Sequence, residues 1–549
     1  MASQGVHLTG VPFANLLSVL FESNHLSEDQ VIWRNGEDEK QFITKGTARQ
    51  LVRRISNGYV SKGLISPKNS ERDVVIILSE NQVIGFPNIL AVIAAGGIVA
   101  TCPWQATIPE ILSRVRILRP RAIVCSKQTL SAAVSALKLS SHTFEIIIQD
   151  SSTMHVGNND GMSYISDTEQ AWDTTWNEEI ANRPSVLVFS SGTTGTPKGV
   201  CISQRNIISM IFQLRILLHP ITQKTQQLKM PGTLDSAHVA GVFLNAFLPL
   251  GVGIENFLVP ATNIDLLLRK LAEHRMEVYF TVPAILARMS THPGFSATDL
   301  KNLKFIGTGA ARTPLETQQL ISSKLAPGVF CQMAWGMTEI TFLATIHPPG
   351  VQGPWESIGK PLAGNSIKIC DLEGNELPIG ESGEIYVSGP TVTNGYYHAQ
   401  LVDHDAKKDG WFRTGDLGNV DENGYVYVSG RNKDLIKYNG TQVSPEELEK
   451  IIMKHDYIVD TGVVGTELED GNELPTAFVV LKDGSPASIV QDVIEFTARQ
   501  VSPYKRLRGG VYVVSTIPKN AMGKIQHKDL RELAKQRFKL ARNNQKAKL

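Results

Sequence analysis

Residues 184–200, PSVLVFSSGTTGTPKGV, have the types and spacing to hold a phosphate. An apolar, strand-like run leads into a stretch rich in serine, threonine and glycine that ends at Lys198. Glycine tolerates unusual backbone angles and adds no Cβ, so successive N–H groups of such a loop can face one anion. Hydroxyl groups and the lysine complete a concave anion-binding surface. Because no GK[ST] opens a following helix, the segment differs from the GxxxxGK[ST] nucleotide loop.

Four more segments combine glycine with isolated charged residues: AWGMTE (334–339), GWFRTGDLG (410–418), GRNKDLIKYNGTQVSPEELE (430–449) and PKNAMGKI (518–525). A lone aspartate or lysine in a turn is usually solvated, so each segment alone predicts no site. In this order, the five segments resemble the motifs of the adenylate-forming superfamily. That superfamily comprises acyl- and aryl-CoA synthetases, firefly luciferases and peptide-synthetase adenylation domains. The resemblance covers roughly residues 20–535.

The resemblance implies a reaction in two steps. A carboxylate attacks the α-phosphate of ATP, pyrophosphate leaves, and the thiol of coenzyme A (CoA) then displaces AMP from the acyl-adenylate. The first step brings anions together, so catalysis depends on positioning and charge neutralisation. We therefore expect an AMP-forming acyl- or aryl-CoA ligase that uses ATP, Mg²⁺ and CoA.

The resemblance also implies roles for individual residues in the first step. Thr338 is expected to hydrogen-bond the α-phosphate, and Glu339 to bind Mg²⁺, which prefers carboxylate and phosphate oxygens. Asp416 is expected to accept hydrogen bonds from the ribose hydroxyls, with Arg431 as a partner, and Lys524 to bridge the attacking carboxylate and the α-phosphate. The β- and γ-phosphates are expected at Ser190, Ser191, Gly192, Thr193, Thr194, Gly195, Thr196, Pro197 and Lys198.

A further set is expected around the adenine, the acid and the thiol. His238, in DSAHVAGVF, matches the family segment in which a histidine meets the acyl group, and a purely structural histidine is the alternative. The remaining nucleotide residues implied by the resemblance are Gly309, Ala310, Ala311, Trp335, Gly336 and Met337. The implied acyl pocket comprises His238, Gly241, Gly309, Gly336 and Met337. The implied hinge is Lys433, and the CoA residues are Lys437, Asn439 and Gly440.

Other functions share these motifs. A luciferase-like oxygenase and a stand-alone adenylation enzyme for an amino or aryl acid both remain alternatives. Asp235 resembles an amine-binding aspartate only if the alignment on His238 is shifted. Too few residues follow the last motif for a carrier domain, which favours free CoA as the thiol. A binding protein without catalysis is disfavoured, because Glu339, Asp416 and Lys524 are all present.

The elements that must position these residues change in character along the chain. Short β-branched runs such as VVIIL (74–78) and AIVC (122–125) alternate with helical patterns, which predicts α/β layers around a largely parallel sheet. From about residue 364, period-two runs such as GEIYVSG predict an antiparallel or barrel-like subdomain. We predict an α/β N-terminal domain over 1–430, a small mobile α+β domain over 431–540 and a flexible basic tail over 541–549.

Composition narrows the class further. The 549 residues are 42% apolar and carry a net charge of +1, a balance that does not favour a nucleic-acid partner. The apolar stretch at 89–100 is shorter than the ~20 residues that a membrane span needs, so a buried helix and strand are predicted there. Five scattered cysteines without CxxC spacing favour a reducing compartment.

The last residues suggest a cellular address. Ala547, Lys548 and Leu549 resemble the SKL tripeptide read by the peroxisomal import receptor. The sequence therefore predicts a peroxisomal matrix enzyme, with a cytoplasmic location as the alternative. Aryl acids and medium-chain fatty acids are equally compatible with the motifs.

Overall fold

The computed structural model describes most of the chain and divides it into two compact units. The larger unit comprises Gln4–Ser366 and Val387–Phe412, and the smaller comprises Met1–Ser3, Ile367–Tyr386 and Arg413–Leu549. The described residues are 3–4, 14–22, 26–67, 73–190, 198–224, 227–296, 300–371, 373–397, 407–438, 441–468, 472–520 and 523–546.

A seven-stranded sheet forms the centre of the larger unit. Its inner strands pair in parallel, as predicted, and Val74–Leu78 is buried along its whole length because helices cover both faces. At one edge, Pro184–Ser190 pairs antiparallel with Lys198–Ser203, which places Lys198 opposite Ser190. The strand order is Lys198–Ser203, Pro184–Ser190, Ile98–Thr101, Val74–Leu78, Ala122–Cys125, Glu145–Asp150 and His155–Asn158.

Two smaller sheets complete the larger unit. In the five-stranded sheet, Val278–Thr281, Phe305–Thr308 and Cys331–Trp335 run parallel, so their carboxyl ends lie at one edge. The residues that follow these strands are therefore neighbours. This sheet continues with Thr345–Ile346 and Lys360–Pro361, and the four-stranded sheet has the order Leu228–Gly232, Ile254–Leu258, Val31–Asn35 and Phe42–Thr44.

The helices of the larger unit pack on these sheets. The predicted buried helix and strand within 89–100 are present as Gly85–Ala94 and Ile98–Thr101. Among the described residues, no helix is both long and apolar enough to cross a membrane. The α-helices are Leu16–Phe21, Lys45–Ser61, Gly85–Ala94, Ile108–Leu118, Leu130–Leu139, Glu178–Asn182, Gln204–Thr222, Val239–Val242, Ile264–Glu273, Pro283–Thr291 and Leu315–Ser322.

The smaller unit has an α+β core. A three-stranded sheet is formed by Ile458–Glu467, Glu473–Leu481 and Gly510–Val513. Two helices, Pro445–Ile452 and Ile489–Gln500, pack their apolar faces against it. The other elements are the strands Ser366–Cys370, Gly383–Ser388, Trp411–Val420, Val426–Arg431, Ile436–Tyr438 and Thr441–Val443, the 3₁₀ turn Asn432–Asp434 and the helix His527–Lys546.

The carboxyl-terminal segment differs from the prediction. A flexible tail was expected from residue 541, whereas the backbone continues as one helix, His527–Lys546. Alanine, leucine, lysine, arginine and glutamine dominate this stretch, and all are good helix formers. The domain boundary at residue 430 remains a prediction, and the structure groups the strand Val426–Arg431 with the residues that follow it.

Candidate active site

The expected site residues fall into two groups, one in each compact unit. The first, the phosphate-side group, lies in the larger unit and contains Ser190, Lys198, Thr338 and Glu339. The second, the lysine-side group, lies in the smaller unit and contains Asp416, Arg431, Lys433 and Lys524. The centre of the predicted phosphate loop lies outside the described residues. It comprises Ser191, Gly192, Thr193, Thr194, Gly195, Thr196 and Pro197.

Glu339 is the buried carboxylate of the phosphate-side group. It is 6% exposed, and its Oε1 accepts hydrogen bonds from Ser190 Oγ at 3.1 Å and Tyr396 Oη at 3.2 Å. Within the described part of the chain, no lysine, arginine or histidine nitrogen lies within 4 Å of this carboxylate. A buried carboxylate normally needs a compensating cation. Mg²⁺ is typically held by one or two carboxylates together with phosphate oxygens, so the Glu339 carboxylate fits this ion.

A tight turn holds Glu339 in place. The residue lies in the 3₁₀ turn Thr338–Ile340, which Thr341 ends in the left-handed region at φ 55°. Thr341 Oγ1 donates to the Thr391 carbonyl at 2.7 Å, and the Glu339 carbonyl accepts from the Thr393 N–H at 2.9 Å. The segment 391–397 therefore holds the turn Thr338–Ile340 in place through these two hydrogen bonds.

Tyr396 belongs to this site although no sequence motif indicated it. Its hydroxyl donates to Glu339, and the Lys198 ammonium lies 5.5 Å from the centre of its ring. The neighbouring Tyr397 N–H donates to the Gly199 carbonyl at 2.8 Å, which holds the segment along the strand Lys198–Ser203. Tyr396 thus links the two ends of the phosphate-side group.

Small residues follow the parallel strands that end beside this group. A Cβ on Gly309 would lie 2.9 Å from the Ala334 carbonyl oxygen, and one on Gly336 would lie 1.8 Å from the Phe342 carbonyl oxygen. Both glycines therefore allow neighbouring backbones to approach closely. Ala310 adopts φ 69°, and Trp335 is buried. Ala311 and Met337 are half-buried at the same strand ends.

His238 lies at the end of an anchored loop. Asn81 Nδ2 donates to the Leu234 carbonyl at 2.8 Å, and Thr101 Oγ1 donates to the Ala237 carbonyl at 2.8 Å. The His238 N–H donates to the Asp235 carbonyl at 3.1 Å. Gly241 closes the turn, since a Cβ there would lie 1.8 Å from the Asp235 carbonyl oxygen.

The surroundings of His238 favour its neutral form. Burial lowers the pKa of the imidazole, and the Arg114 cation lowers it further, against the opposing effect of Asp235. Burial likewise raises the pKa of the Asp235 carboxyl. A neutral imidazole has one hydrogen-bond donor and one acceptor, which suits a group expected to meet the acid.

An aromatic wall joins the His238 helix to the strand ends. Phe342 stacks on Phe243 with ring centroids 5.7 Å apart and meets Phe280 edge-on at 5.9 Å. Phe280 packs on Phe305 at 5.1 Å. Phe342, in the loop after Glu339, is half-buried, and its backbone has φ 102°. Phe243, Phe280 and Phe305 are buried, so the wall belongs to the apolar core beside the strand ends.

In the smaller unit, Asp416 and Arg431 form an ion pair. They lie opposite each other in neighbouring antiparallel strands, with Arg431 Nε 2.6 Å from Asp416 Oδ1. The Asp416 side chain is 5% exposed, and its N–H donates to Thr414 Oγ1 at 3.1 Å. The pair fixes a carboxylate at the strand edge, as the expected ribose contact requires.

Lys524 lies in a turn that its own backbone holds. The Lys524 N–H donates to Asn520 Oδ1 at 3.0 Å, and its carbonyl accepts from the Asn520 N–H at 2.9 Å. We call the described residues 518–520 and 523–526 the Lys524 turn. The side chain is half-buried. Burial and the Arg431 and Lys433 cations lower the pKa of Lys524 to about 8, against the opposing effect of Asp416 and Asp434.

The hinge and CoA residues are only partly described. Lys433 lies in the turn Asn432–Asp434, which we call the hinge turn, and its side chain is exposed. Lys437 is exposed on the strand Ile436–Tyr438, and its N–H donates to Glu473 Oε2 at 2.8 Å. Asn439 and Gly440 lie outside the described residues.

Comparison with known proteins identifies the family. The sequence profile of the family described as AMP-binding enzyme matches residues 24–397, and that of the AMP-binding enzyme C-terminal domain matches residues 447–524. The chain therefore belongs to the AMP-binding enzyme family. The family prediction made from the five motifs is confirmed.

Relatives along the full length point to CoA ligases. The chain is 30% identical to a putative acyl-coenzyme A synthetase of Emericella nidulans over 96% of this chain and 97% of that protein. It is also 30% identical to the phenylacetyl-CoA ligase epaB of Aspergillus niger over 96% and 98% of the two chains. The predicted enzyme class, an AMP-forming acid–thiol ligase, is confirmed by these relationships.

A solved structure shares the fold. ATP-bound MatB from Rhodopseudomonas palustris is 26% identical and superposes with a TM-score of 0.82 over 95% of this chain and 99% of its own. The predicted fold class, an α/β N-terminal domain with a smaller α+β C-terminal domain, is confirmed.

Proposed function

We propose that this chain activates an apolar carboxylic acid with ATP and transfers the acyl group to CoA. The acid and ATP give acyl-AMP and pyrophosphate, and CoA then gives the acyl-CoA thioester and AMP. The observation that carries the proposal is the charge around Lys524. Three cations, Arg431, Lys433 and Lys524, influence one another, and among the described residues no carboxylate lies within 4 Å of the Lys524 ammonium. Such a cation suits an anionic reacting centre.

In the first half-reaction, Lys524 stabilises the negative charge shared by the attacking carboxylate and the α-phosphate. Its pKa of about 8 keeps most of the ammonium protonated at neutral pH. Asp416, held by Arg431, accepts hydrogen bonds from the ribose hydroxyls. Thr338 donates its hydroxyl proton to an α-phosphate oxygen. The ribose and phosphate contacts orient ATP for attack.

Glu339 is the residue that would hold Mg²⁺. When bound, this ion neutralises phosphate charge and thereby favours attack by an anion. Ser190 and Tyr396 orient the Glu339 carboxylate through their hydrogen bonds to Oε1. Lys198, at the end of the phosphate loop, attracts the terminal phosphates.

His238 orients the acid in the first half-reaction and moves aside for the thiol of CoA in the second. Burial keeps the imidazole neutral, so it hydrogen-bonds the acid, and CoA reacts as the thiolate after its proton has passed to water. The thiolate attacks the acyl carbonyl carbon, the bond from that carbon to the bridging oxygen breaks, and AMP leaves with that oxygen. Lys437, Asn439 and Gly440 are proposed to contact CoA, and Lys433 to act as the hinge between the half-reactions.

The acid is proposed to be an aryl acid or a medium-chain fatty acid. Phe342, half-buried against Phe243 and Phe280, offers an apolar side chain beside the strand ends. The relative named phenylacetyl-CoA ligase is compatible with an aryl acid. Burial of the Asp235 carboxyl raises its pKa, which disfavours a role as an amine-binding anion.

A panel of carboxylic acids tests the proposal. Purified enzyme, ATP and Mg²⁺ are incubated with each acid, with and without CoA, and pyrophosphate, AMP and the thioester are measured. We expect acid-dependent pyrophosphate release, and thioester only with CoA. Acid activation without any thioester would favour a stand-alone adenylation enzyme. Oxygen consumption with light emission would favour the luciferase-like alternative. Absence of pyrophosphate with every acid would contradict the proposal.

A peroxisomal location belongs to the same proposal. Ala547, Lys548 and Leu549, the expected contact with the import receptor, lie outside the described residues. An enzyme tagged with a fluorescent protein at its amino terminus should co-localise with a peroxisomal marker. Diffuse cytosolic fluorescence would support the cytoplasmic alternative.

A further inference from the structure

His527 lies between two carboxylates in the smaller unit. Its Nδ1 is 3.5 Å from Asp434 Oδ2, and its Nε2 is 3.6 Å from Glu449 Oε1. The side chains of His527 and Glu449 are 13% exposed and that of Asp434 is 11% exposed. A histidine in this setting is an imidazolium that holds two buried anions together. No motif of the sequence pointed to it.

The two carboxylates are themselves fixed. Glu449 Oε1 accepts from the Val463 N–H at 2.8 Å, which ties the helix Pro445–Ile452 to the edge strand Ile458–Glu467 of the core sheet. Asp434 Oδ1 accepts from Arg531 Nη2 at 3.1 Å, and Arg531 lies one turn after His527 on the same helix. His527 and Arg531 therefore hold the hinge turn from one helix face.

The chain joins this cluster directly to the Lys524 turn. His527 follows Lys524 by three residues, and Gln526 in between donates its N–H to the Pro518 carbonyl at 2.9 Å. The turn is also closed from Lys524 to Asn520. With so few rotatable links, a shift of His527 is transmitted to the Lys524 backbone.

We propose that His527 is a positioning residue that fixes the Lys524 turn to the hinge turn during the first half-reaction. The inference rests on the proposed function, because the role of Lys524 is assigned there. His527 is not proposed to contact substrate. It acts through the position and the electrostatic surroundings of Lys524.

The charge of the cluster supports this role. Burial opposes an imidazolium, but the carboxylates of Asp434 and Glu449 outweigh it and raise the pKa of His527 to about 9. Burial, with Glu449 and Asp416, raises the pKa of Glu446 to about 7. The titratable and charged groups that influence His527 or Asp434 are thus Asp434, Glu449, Glu446, Arg531 and Lys433.

The sign of the pH dependence follows from the raised pKa. A group whose pKa is higher in the folded than in the unfolded chain stabilises the fold when it is protonated. The ordinary pKa of a histidine is about 6.5, so His527 contributes its full share to the free energy of unfolding below that pH. This contribution is lost as the pH rises through about 9. The melting temperature of the wild type should fall over this range more than that of a variant without the imidazole.

The test compares H527Q, H527R and the control K528A in each half-reaction separately. Lys528 is exposed on the same helix and has no assigned role. We expect H527Q to lower the rate of acyl-AMP formation about ten- to a hundredfold, because small misplacements of catalytic groups have large effects. Thioester formation from preformed acyl-AMP should stay within about twofold. K528A should match the wild type in both.

The pH profile separates positioning from a merely structural role. Without the imidazolium, Asp434 and Glu449 lose their shared cation, and the pKa of Lys524 should rise because Asp434 already raises it. The alkaline limb of acyl-AMP formation in H527Q should therefore move to higher pH. H527R supplies a permanent cation. It should therefore restore the rate of acyl-AMP formation and return the alkaline decline of that rate to its wild-type pH.

The positioning role of His527 can be overturned by either of two results. Native acyl-AMP formation with an unmoved alkaline limb in H527Q would overturn it, as would equal loss in both half-reactions without rescue by H527R. If H527Q fails to fold, E449Q takes its place, and an unmoved limb there would overturn the inference in the same way. Failure of the wild type to form acyl-AMP from any acid would contradict the proposed function instead.

Discussion

The two groups of site residues achieve their chemistry by different means. The phosphate-side group has one buried carboxylate, Glu339, which neutral hydroxyls surround at 3.1 and 3.2 Å. The lysine-side group consists of charges held by other charges, such as Arg431 against Asp416 at 2.6 Å. Neutral hydrogen bonds change little with pH, whereas a set of coupled charges responds to every proton gained or lost.

This difference suggests a division of tasks: the phosphate-side group holds the nucleotide, and the lysine-side group promotes formation of the bond between the acid and the α-phosphate. Hydroxyls and a carboxylate suit a site whose occupant, a nucleotide with its ion, brings its own charge. A lysine cation such as Lys524, with a pKa of about 8, suits the step in which two anions meet, because it neutralises charge at the reacting centre. We expect the phosphate-side group to govern ATP and Mg²⁺ affinity, and the lysine-side group to govern the rate and its pH dependence.

The largest effect is expected for K524A. Removal of the ammonium leaves the charge of the attacking carboxylate and α-phosphate uncompensated, so acyl-AMP formation should fall about 10²- to 10³-fold. Thioester formation from preformed acyl-AMP should be spared. Single-turnover assays of the two half-reactions measure this, with K528A as the control. A native rate of acyl-AMP formation would remove Lys524 from the chemistry.

The next effect is expected for E339Q. The amide keeps the size of the side chain but loses the charge that would hold Mg²⁺, so acyl-AMP formation should fall about a hundredfold and need more Mg²⁺. Titration of Mg²⁺ at fixed ATP measures the change. E316Q, on an exposed residue of the same unit, serves as the control. An unchanged Mg²⁺ requirement in E339Q would place the ion elsewhere.

The wild-type pH profile gives an intermediate effect. Lys524 acts as a cation with a pKa of about 8, so acyl-AMP formation should decline as the pH rises through that value. At pH 9 the loss should be about tenfold, since each unit above the pKa removes a factor of ten of the protonated form. The thioester step, measured from preformed acyl-AMP, should lack this limb. The same limb in both steps would assign it to another group.

The smallest effects are expected for S190A and Y396F. Each removes one hydrogen bond to Glu339, worth about 1 kcal/mol, so acyl-AMP formation should fall roughly fivefold. The double variant should show a further rise in the Mg²⁺ requirement, because Glu339 then loses both orienting hydroxyls. Native Mg²⁺ titrations in both single variants would show that the carboxylate needs no such support.

The sequence allowed the α/β fold of this enzyme to be predicted, whereas the roles of its site residues stay predictions. Uniformly apolar strands such as Val74–Leu78 are visible because burial on both faces demands them. Lys524 and Asp416 could be proposed as site residues because the short motifs that contain them resemble those of the family. These features are local, so a single chain reveals them.

Contacts between distant segments could not be predicted. Tyr396 reaches Glu339, and His527 reaches Asp434 and Glu449, only through tertiary packing. A lone tyrosine or histidine carries no periodic signal, and its partner depends on how the sheets stack. The role of Gly336 in a close backbone approach is likewise set by the loop that crosses it.

The central claim, a reaction through acyl-AMP, is tested most directly with an ¹⁸O-labelled carboxylic acid. In the proposed route, one carboxylate oxygen becomes the bridge to the α-phosphate and leaves with AMP when the CoA thiolate attacks the carbonyl carbon. Mass spectrometry of the products should therefore show one ¹⁸O in AMP, none in pyrophosphate and one in the thioester carbonyl. Unlabelled AMP, or ADP and phosphate in place of AMP and pyrophosphate, would contradict the account.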